Sequence, residues 1–469
     1  MVFPATPLVV AISLFLGGSW VDVTLDVYAR DKIAVTWGRQ DWASTADTTK
    51  CPLTFNNGTS KASPGIVGRY SRRNARSDLY GLLGRNTPVR FELTTPAGVV
   101  VDRFEGYISS WPTRWDLSGK DVYARVQANG IRRRLAQGTK LLKDPLRRHV
   151  DANGPLAYWP LTDGQNALQG TEVTGGGSPL RSVGTAGSFY QGQPNWGKGQ
   201  LASWLDPVVE LPSQTTGYVT ATISPRTISA WSVDHVVNSR GAGNVTNLEV
   251  YDTGAQSATV PRVQWEIDEW GSGGFNQVQL RIVERLDASS ATAILATVNT
   301  PGIYDGGVHH LRLSVADDGA GGLTWALYID GVSVASGARA TVFRPLEQVV
   351  YRWSLVDAGS GTPTESVPFG HLTYWGEDPP TAPQTWQAVQ GYTRELAGRR
   401  IERLCAEHGV PLMVNGSLDQ TPAMGPQRPG AFLDLLQSAA DVDGGAIYES
   451  RDAVGLAYRT RRSKYNQGM

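Results

Sequence analysis

The chain has 469 residues and equal numbers of basic and acidic side chains, 43 of each, so its formal net charge is zero. Only 18% of residues are charged, against 53 glycines and 15 tryptophans, a balance that excludes both a wholly disordered chain and a long coiled coil. Two cysteines, Cys51 and Cys405, rule out a disulfide scaffold, and two buried thiols are the simpler expectation.

The zero net charge hides a division along the chain. Residues 1–150 carry 22 basic and 12 acidic side chains, residues 151–385 carry 11 and 22, and residues 386–469 carry 10 and 9. That swing suggests an acidic module set between two segments of different character. The apolar run at 7–18 has the hydropathy of a signal peptide, yet no Lys or Arg precedes Arg30 and no small-residue cleavage site closes it. It falls short of the roughly 20 residues that a membrane helix needs. Its β-branched content and the Gly17-Gly18 pair predict a buried strand turning into Trp20–Thr24, and no membrane anchor is expected. Strands are then predicted at Ile33–Trp37, Val89–Thr94, Arg103–Ser109 and Asp121–Gln127. Turn signals at Asn57-Gly58, Pro64-Gly65, Thr95-Pro96 and Ser118-Gly119 punctuate them, as in a small barrel or sandwich. Residues 130–149 read as helical and strongly basic.

The middle segment reads as all-β, with strands at Ile228–Val233, Arg262–Ile267, Val278–Ile282, Leu311–Val315 and Trp325–Ile329. Hairpin turns fall at Asp317–Gly322 and Asp330-Gly331, and a two-sheet sandwich is expected. The stretch 378–385 (DPPTAPQT) reads as a stiff linker. Beyond it the period changes. Ala397, Ile401, Leu404, Cys405 and His408 mark one helix face, with Thr393 as its expected cap and Gly409 as its stop. Phe432, Leu435, Leu436, Ala439 and Ala440 mark a second helix, ended by Gly444-Gly445. A hairpin of Ala446–Glu449 and Leu456–Arg459 follows.

The six histidines are scattered, and no metal-ligand spacing, nucleotide loop or cofactor motif is present. His309 and His310 are adjacent, so on a strand they face opposite sides. Cys405 and His408 share a helix face, but no acid is in place to orient them as nucleophile and base. The sharpest candidate is Trp265-Glu266-Ile267-Asp268-Glu269-Trp270. On a strand Glu266, Asp268 and Trp270 share one face and Glu269 takes the other. Jelly-roll glucanases carry a Glu-x-Asp-x-Glu or Glu-x-Asp-x-x-Glu strand, and this segment resembles the first half of it. The second Glu is missing, since positions 270 and 271 are Trp and Gly. A glycan-binding surface made of Trp265, Glu266, Asp268 and Trp270 is therefore set beside a plain sheet surface, with catalysis not expected. The basic cluster Arg132, Arg133, Arg134, Arg147 and Arg148 marks a subunit or tail contact, or a solvated helix face; nucleic-acid binding is not expected without an accompanying motif.

Several stretches carry a wider likeness. Trp37-Gly38-Arg39, Cys51-Pro52-Leu53-Thr54-Phe55-Asn56-Asn57, Tyr70-Ser71-Arg72-Arg73-Asn74, Leu79-Tyr80-Gly81 and Gly84-Arg85-Asn86-Thr87-Pro88 resemble minor tail proteins of phages that infect actinobacteria. So do Trp111-Pro112, Arg114-Trp115-Asp116, Tyr448-Glu449 and Tyr458-Arg459-Thr460-Arg461. The likeness covers most of residues 20–150 and 391–467. Such proteins run on past the point corresponding to Tyr465-Asn466-Gln467, whereas this chain ends at Met469. The middle segment resembles the laminin-G or concanavalin-like lectin sandwich. The residues are Tyr158-Trp159-Pro160-Leu161, Val209-Glu210-Leu211-Pro212, His309-His310-Leu311-Arg312-Leu313 and Leu327-Tyr328-Ile329-Asp330-Gly331.

Together these resemblances imply a mainly β protein in three parts. A β-barrel hub domain at 1–150 and a small α+β hub domain at 386–469 are interrupted by a jelly-roll β-sandwich insertion at 151–385. They further imply a non-enzymatic structural protein of the virion tail tip, akin to a baseplate hub, that displays a lectin-like domain for host cell-wall glycan. Its implied partners are further copies of itself (three in a hub, six in a distal-tail ring), distal-tail and tail-tip proteins and the tape measure protein. No cofactor is implied. A tail-associated glycoside hydrolase and a secreted lectin unrelated to virions are the competing expectations.

Overall fold

A computed structural model describes residues 8–28, 32–38, 46–59, 66–118, 121–138, 140–183, 191–240, 244–272, 275–299, 302–356 and 364–465. Arg39, the Pro64-Gly65 turn, Gly119 and the 466–469 end lie outside the described residues. The protein is mainly β. It divides into two compact units, one of Met1–Leu142, Glu395–Met424 and Gly430–Met469, the other of Lys143–Arg394 and Gly425–Pro429. No helix among the described residues is long and apolar enough to cross a membrane.

The first unit opens with β1 (Val9–Leu16), β2 (Ser19–Asp22), β3 (Thr36–Gly38), β4 (Asp47–Asn56), β5 (Thr87–Thr94), β6 (Val100–Ile108), β7 (Thr113–Trp115) and β8 (Val122–Asn129). They form one antiparallel sheet in the order β2-β1-β5-β6-β8-β4-β3, with β7 added to β8. The apolar run at 7–18 is thus a sheet strand, and Gly17 and Gly18, at φ +57 and +90, make its turn into β2. Alternate residues of the strands enter one core: Ile12, Leu14 and Leu16, then Cys51, Leu53 and Phe55, then Ala124, Val126 and Ala128. The expected strand at Ile33–Trp37 shrinks to β3, because only Thr36 and Gly38 find partners on β4. The expected long basic helix is broken as well. A single turn, α1 (Arg132–Leu135), ends the first stretch of this unit.

The second unit starts with α2 (Pro145–Ala152), capped by Asp144, whose Oδ1 accepts the Arg147 N–H at 2.8 Å. Its strands are β9 (Ala157–Trp159), β10 (Gln169–Gly170), β11 (Leu180–Val183), β12 (Asn195–Gly199), β13 (Val208–Leu211), β14 (Thr215–Thr222), β15 (Ala230–Val237) and β16 (Asn244–Asp252). Then come β17 (Arg262–Ser272), β18 (Phe275–Arg285), β19 (Ser290–Asn299), β20 (His309–Asp317), β21 (Leu323–Ile329), β22 (Val332–Arg339), β23 (Leu346–Leu355) and β24 (Val367–Trp375). One sheet runs β10-β11-β14-β23-β16-β17-β18-β19; the other runs β12-β13-β24-β15-β20-β21-β22, with β9 on β24. Trp231, Leu311, Leu313 and Trp325 from one sheet and Trp265, Ile267, Leu280 and Trp353 from the other fill a shared core, so the unit is a β-sandwich. Asp330 and Gly331, both at positive φ, turn β21 into β22 as a two-residue hairpin.

Residues 378–385 do not act as a linker. Thr381 and Gln384 form a capping box that starts α3 (Ala382–Val389), with Pro383 tolerated in its first turn. Arg312 fixes this helix to the sandwich: it chelates Asp234 and donates to the Pro380 carbonyl and the Thr385 hydroxyl.

The first unit is completed by α4 (Ala397–Glu407), β25 (Leu412–Asn415), α5 (Phe432–Asp443), β26 (Ala446–Glu449), β27 (Leu456–Arg459) and α6 (Arg461–Tyr465). Leu396, in extended conformation, precedes α4 where Thr393 was expected as cap. Gly444 at φ +68 ends α5. The hairpin β26–β27 gains a parallel partner, β25, that the sequence pattern does not announce. Glu449 joins these elements to the sheet at the start of the chain. It is 7% exposed, and its two oxygens accept the N–H groups of Thr49 on β4 and of Arg132 at the start of α1, each at 2.5 Å. Gly130 makes room for it, since a Cβ there would sit 2.3 Å from the carboxylate. Replacing Glu449 with Ala strands two buried donors, at about 1–3 kcal/mol each. The expected outcome for Glu449→Ala is a loss of about 2–4 kcal/mol from this unit, read as faster native-state hydrogen exchange of β4 and α1 amides. Unchanged exchange there would show that the carboxylate does not hold the two stretches together.

Candidate functional site

The paired carboxylates singled out by sequence lie on β17, whose successive residues face opposite sides of the sandwich. Val263, Trp265 and Ile267 enter the core. Trp265 is 2% exposed and meets Trp231 edge-on at 6.1 Å. This corrects the expectation that Trp265 stacks on a sugar: the period of two puts it on the face opposite Glu266 and Asp268. Glu269 points inward with it, at 2.6 Å from both His235 Nε2 and Thr246 Oγ1.

Glu266, Asp268 and Trp270 share the outer face with residues from five neighbouring strands, aligned by the sheet register. One row across the sheet reads Tyr218, Arg352, Asn247, Asp268, Gln279 and Thr297. The next reads Thr220, Val350, Glu249, Glu266, Arg281 and Ile294. Arg281 reaches both carboxylates, at 3.0 Å from Glu266 Oε2 and in contact with Asp268 Oδ2. Asn247 donates to Asp268 and Gln264 to Glu266. Two strands away Arg352 pairs with Glu249 at 2.5 Å, and the Tyr251 hydroxyl donates to the same carboxylate at 2.6 Å. Arg352 also lies over the Tyr218 ring and Arg262 over the Tyr251 ring, at 4.6 and 4.7 Å.

Burial raises both Glu266 and Asp268 above the usual carboxylate range, and Arg281 opposes the shift in each without cancelling it. Charge is balanced across the face, where Arg262, Arg281, Arg285 and Arg352 stand among Glu249, Glu266, Asp268 and Glu347. Such a surface suits a neutral ligand rich in hydroxyl groups better than a polyion. At the end of β17, Trp270 keeps 39% of its surface exposed and is the aromatic plane available there. Glu249, Asn247, Arg281 and Arg352 were not singled out by sequence. The alternation of polar and apolar residues in 245–251 and 277–285 places them on a face, but only the strand order brings them to Glu266.

The residues of the basic cluster are divided between the two units. Arg132 is buried in the first unit with its backbone held by Glu449. Arg133 donates to the Ser109 hydroxyl at 2.5 Å, and Arg134 lies over the Tyr107 ring at 4.5 Å. Arg147 and Arg148 belong to the second unit, where Arg147 pairs with Asp151 and stacks on Tyr158, and Arg148 donates to the Lys143 carbonyl. Burial of Arg132 removes it from the expected subunit or tail contact, because its side chain is packed inside the first unit. Both cysteines are free and buried, and burial pushes each thiol up to about 12. Cys405 lies in the core while His408 is exposed and stacks on Phe432 at 4.5 Å. Among the described residues no cluster of His, Cys, Asp and Glu is arranged to hold a metal ion.

No protein-family model matches the chain, and no curated protein matches it. Among solved structures it is similar to the receptor-binding domain of botulinum neurotoxin D, at 10% identity over 52% of this chain and 54% of that chain, with a TM-score of 0.32. It is also similar to the binding domain of botulinum neurotoxin serotype G, at 12% identity over 52% of each chain, again with a TM-score of 0.32. The chain spans about half the length of the solved structures it matches.

His309 and His310 do face opposite ways. His310 Nε2 lies 3.4 Å from Asp234, on the side where α3 is held. His309 is clamped between two carboxylates, Nδ1 to Asp330 at 2.8 Å and Nε2 to Asp305 at 2.9 Å. Burial alone would lower its pKa, but the hydrogen bonds to Asp330 and Asp305 outweigh burial and raise it. A histidine whose folded pKa exceeds the unfolded value of about 6.5 contributes stability in full below that value. The contribution fades as pH rises through the folded pKa. The stability deficit of His309→Gln relative to the native chain should therefore be largest at pH 5.5 and shrink steadily toward pH 9, as followed by urea denaturation. A deficit independent of pH would mean that the imidazole is held neutral.

Proposed function

We propose that this protein is a structural, non-catalytic component of a phage tail tip, and that its β-sandwich is an attachment module for a glycan of the host cell wall. The observation that carries the attachment reading is the outer face of β14-β23-β16-β17-β18-β19. Its acceptors and donors are ordered in advance by cross-strand ion pairs, its charge is balanced, and an exposed indole stands at its end. A ligand that binds there meets groups whose rotamers are already fixed, which lowers the entropy cost of binding. The partly exposed guanidiniums of Arg281 and Arg352, held by the buried carboxylates beneath them, donate to sugar hydroxyls, and Trp270 offers a face for stacking on the ring.

The tail-tip part rests on the likeness of residues 20–150 and 391–467 to minor tail proteins. With it come a virion tail-tip location, assembly as a trimer, and contacts with distal-tail, tail-tip and tape measure proteins. Repetition of a weak glycan site around such a ring would multiply affinity through effective concentration. A binding role is favoured over hydrolysis because a glycosidase needs two carboxyls driven to unlike protonation states. Here burial raises Glu266 and Asp268 alike, and one guanidinium serves both.

The test is saturable binding of the full chain to isolated actinobacterial walls. Trp270→Ala and Arg281→Ala should each weaken it about tenfold, or about 1.4 kcal/mol, with the circular dichroism spectrum unchanged. Trp265→Ala should act through stability instead, at a cost of about 3–5 kcal/mol. Binding untouched by the first two variants would move the site elsewhere. Release of reducing sugar from the walls, lost in Glu266→Gln, would replace the reading with that of a hydrolase.

A further inference from the structure

A cavity of about 750 Å³ in the first unit lies apart from everything used so far. It opens where two sheets end among the described residues, since β3 is the last strand of the eight-stranded sheet and β26 of the three-stranded one, and both line it. Three aromatic side chains, Trp37, Tyr448 and Tyr465, and three cations, Arg451, Arg459 and Lys464, converge on it. Among the described residues no carboxylate lines it.

The cations are held in place by their surroundings. Lys464 Nζ donates to the Gly444 carbonyl at the end of α5, at 2.8 Å, and Arg459 Nη2 donates to the Ser463 carbonyl at 3.2 Å. Arg451 lies over the Trp37 ring, its Cζ 3.6 Å from the ring centroid. Among the described residues no ion pair is formed by Arg451, and its side chain lines the opening. Trp37 is itself 49% exposed and Tyr465 77%. Indole and phenol rings beside a cluster of cations match the two halves of one kind of ligand. The volume falls within the range of small-molecule sites.

We propose that this cavity binds a sugar carrying an anionic group, phosphate or carboxylate. The anion sits on the Arg451 guanidinium with Arg459 and Lys464 beside it, where a planar fork meets two oxygens at once. The ring lies against Tyr448 and the part of Trp37 that Arg451 leaves uncovered, and its hydroxyls face the β3 and β26 edges. This site differs in ligand charge from the balanced face of the sandwich, and nothing in it depends on that reading.

Calorimetric titration of the full chain tests it, with glucose 6-phosphate, glucuronate, glucose, inorganic phosphate and adenosine monophosphate as probes. The expected result is saturable binding of glucose 6-phosphate or glucuronate, with glucose and inorganic phosphate at least tenfold weaker. Arg451→Gln and Trp37→Ala should each lower that affinity at least tenfold, and Arg451→Lys should restore part of it. Trp270→Ala should leave it unchanged, which separates this site from the sandwich face. The proposal is overturned if neither anionic sugar binds, if inorganic phosphate binds as tightly as the sugars, if adenosine monophosphate binds more tightly than both, or if the Arg451 and Trp37 variants bind like the native chain.

Discussion

Glu449 spans the two parts of the chain that build the first unit. Its carboxylate accepts two backbone N–H groups that lie 400 and 317 positions away in sequence. Both oxygens are buried, so each bond replaces a donor that would otherwise be stranded away from water. Gly130 is required beneath it for the same reason: any side chain there would take the space of the carboxylate. Around this tie the helices α4 and α5 pack with Ile131, which lies just before α1, into one core with β26 and β27. The first unit is therefore continuous in space although Lys143–Arg394 intervene in sequence. The intervening residues need no help from it to bury their own apolar surface, because the sandwich core and the cluster under α2 and α3 draw only on the second unit. Each unit therefore has a hydrophobic core of its own.

Within the sandwich the decisive constraint is the period of two. It sends Trp265 and Glu269 into the core and Glu266, Asp268 and Trp270 outward, and a one-residue slip would exchange them. The outward set is then completed by strands that lie far off in sequence, with Arg281 from β18 and Glu249 and Asn247 from β16. Paired carboxylates close to one arginine hold a fixed hydrogen-bonding pattern. They do so at the expense of the asymmetry that acid–base chemistry requires, which suits the proposed recognition role better than hydrolysis.

Much of the fold is legible in the sequence because local rules agree there. The alternation in Val89–Thr94 and Leu311–Val315, the turn at Asp330-Gly331 and the apolar face of Phe432–Ala440 each point to the element that forms. Where local signals mislead, tertiary partners decide. The proline-rich 378–385 reads as extended, yet the capping box at Thr381 and the anchoring Arg312 turn its second half into helix. Ile33–Val35 have strand composition but, among the described residues, no strand partner, although Ile33 and Val35 pack on the core. Residues 130–149 have helical composition but are divided between two units. The site was legible only as a pair of carboxylates on one strand. The residues that make the pair a surface, and the demotion of Trp265 to the core, depend on strand order and on which face meets the second sheet. Neither is encoded locally. The Trp37 cavity left no sequence signal at all, because its aromatic and cationic groups are gathered from both ends of the chain.

The most direct measurement is photo-crosslinking of the full chain with a diazirine-bearing oligosaccharide from the host wall, followed by peptide mapping. The account predicts adducts on the outward residues of β16, β17 and β18, Trp270 foremost, that an excess of unlabelled oligosaccharide removes. Competed adducts confined to other parts of the chain would contradict it.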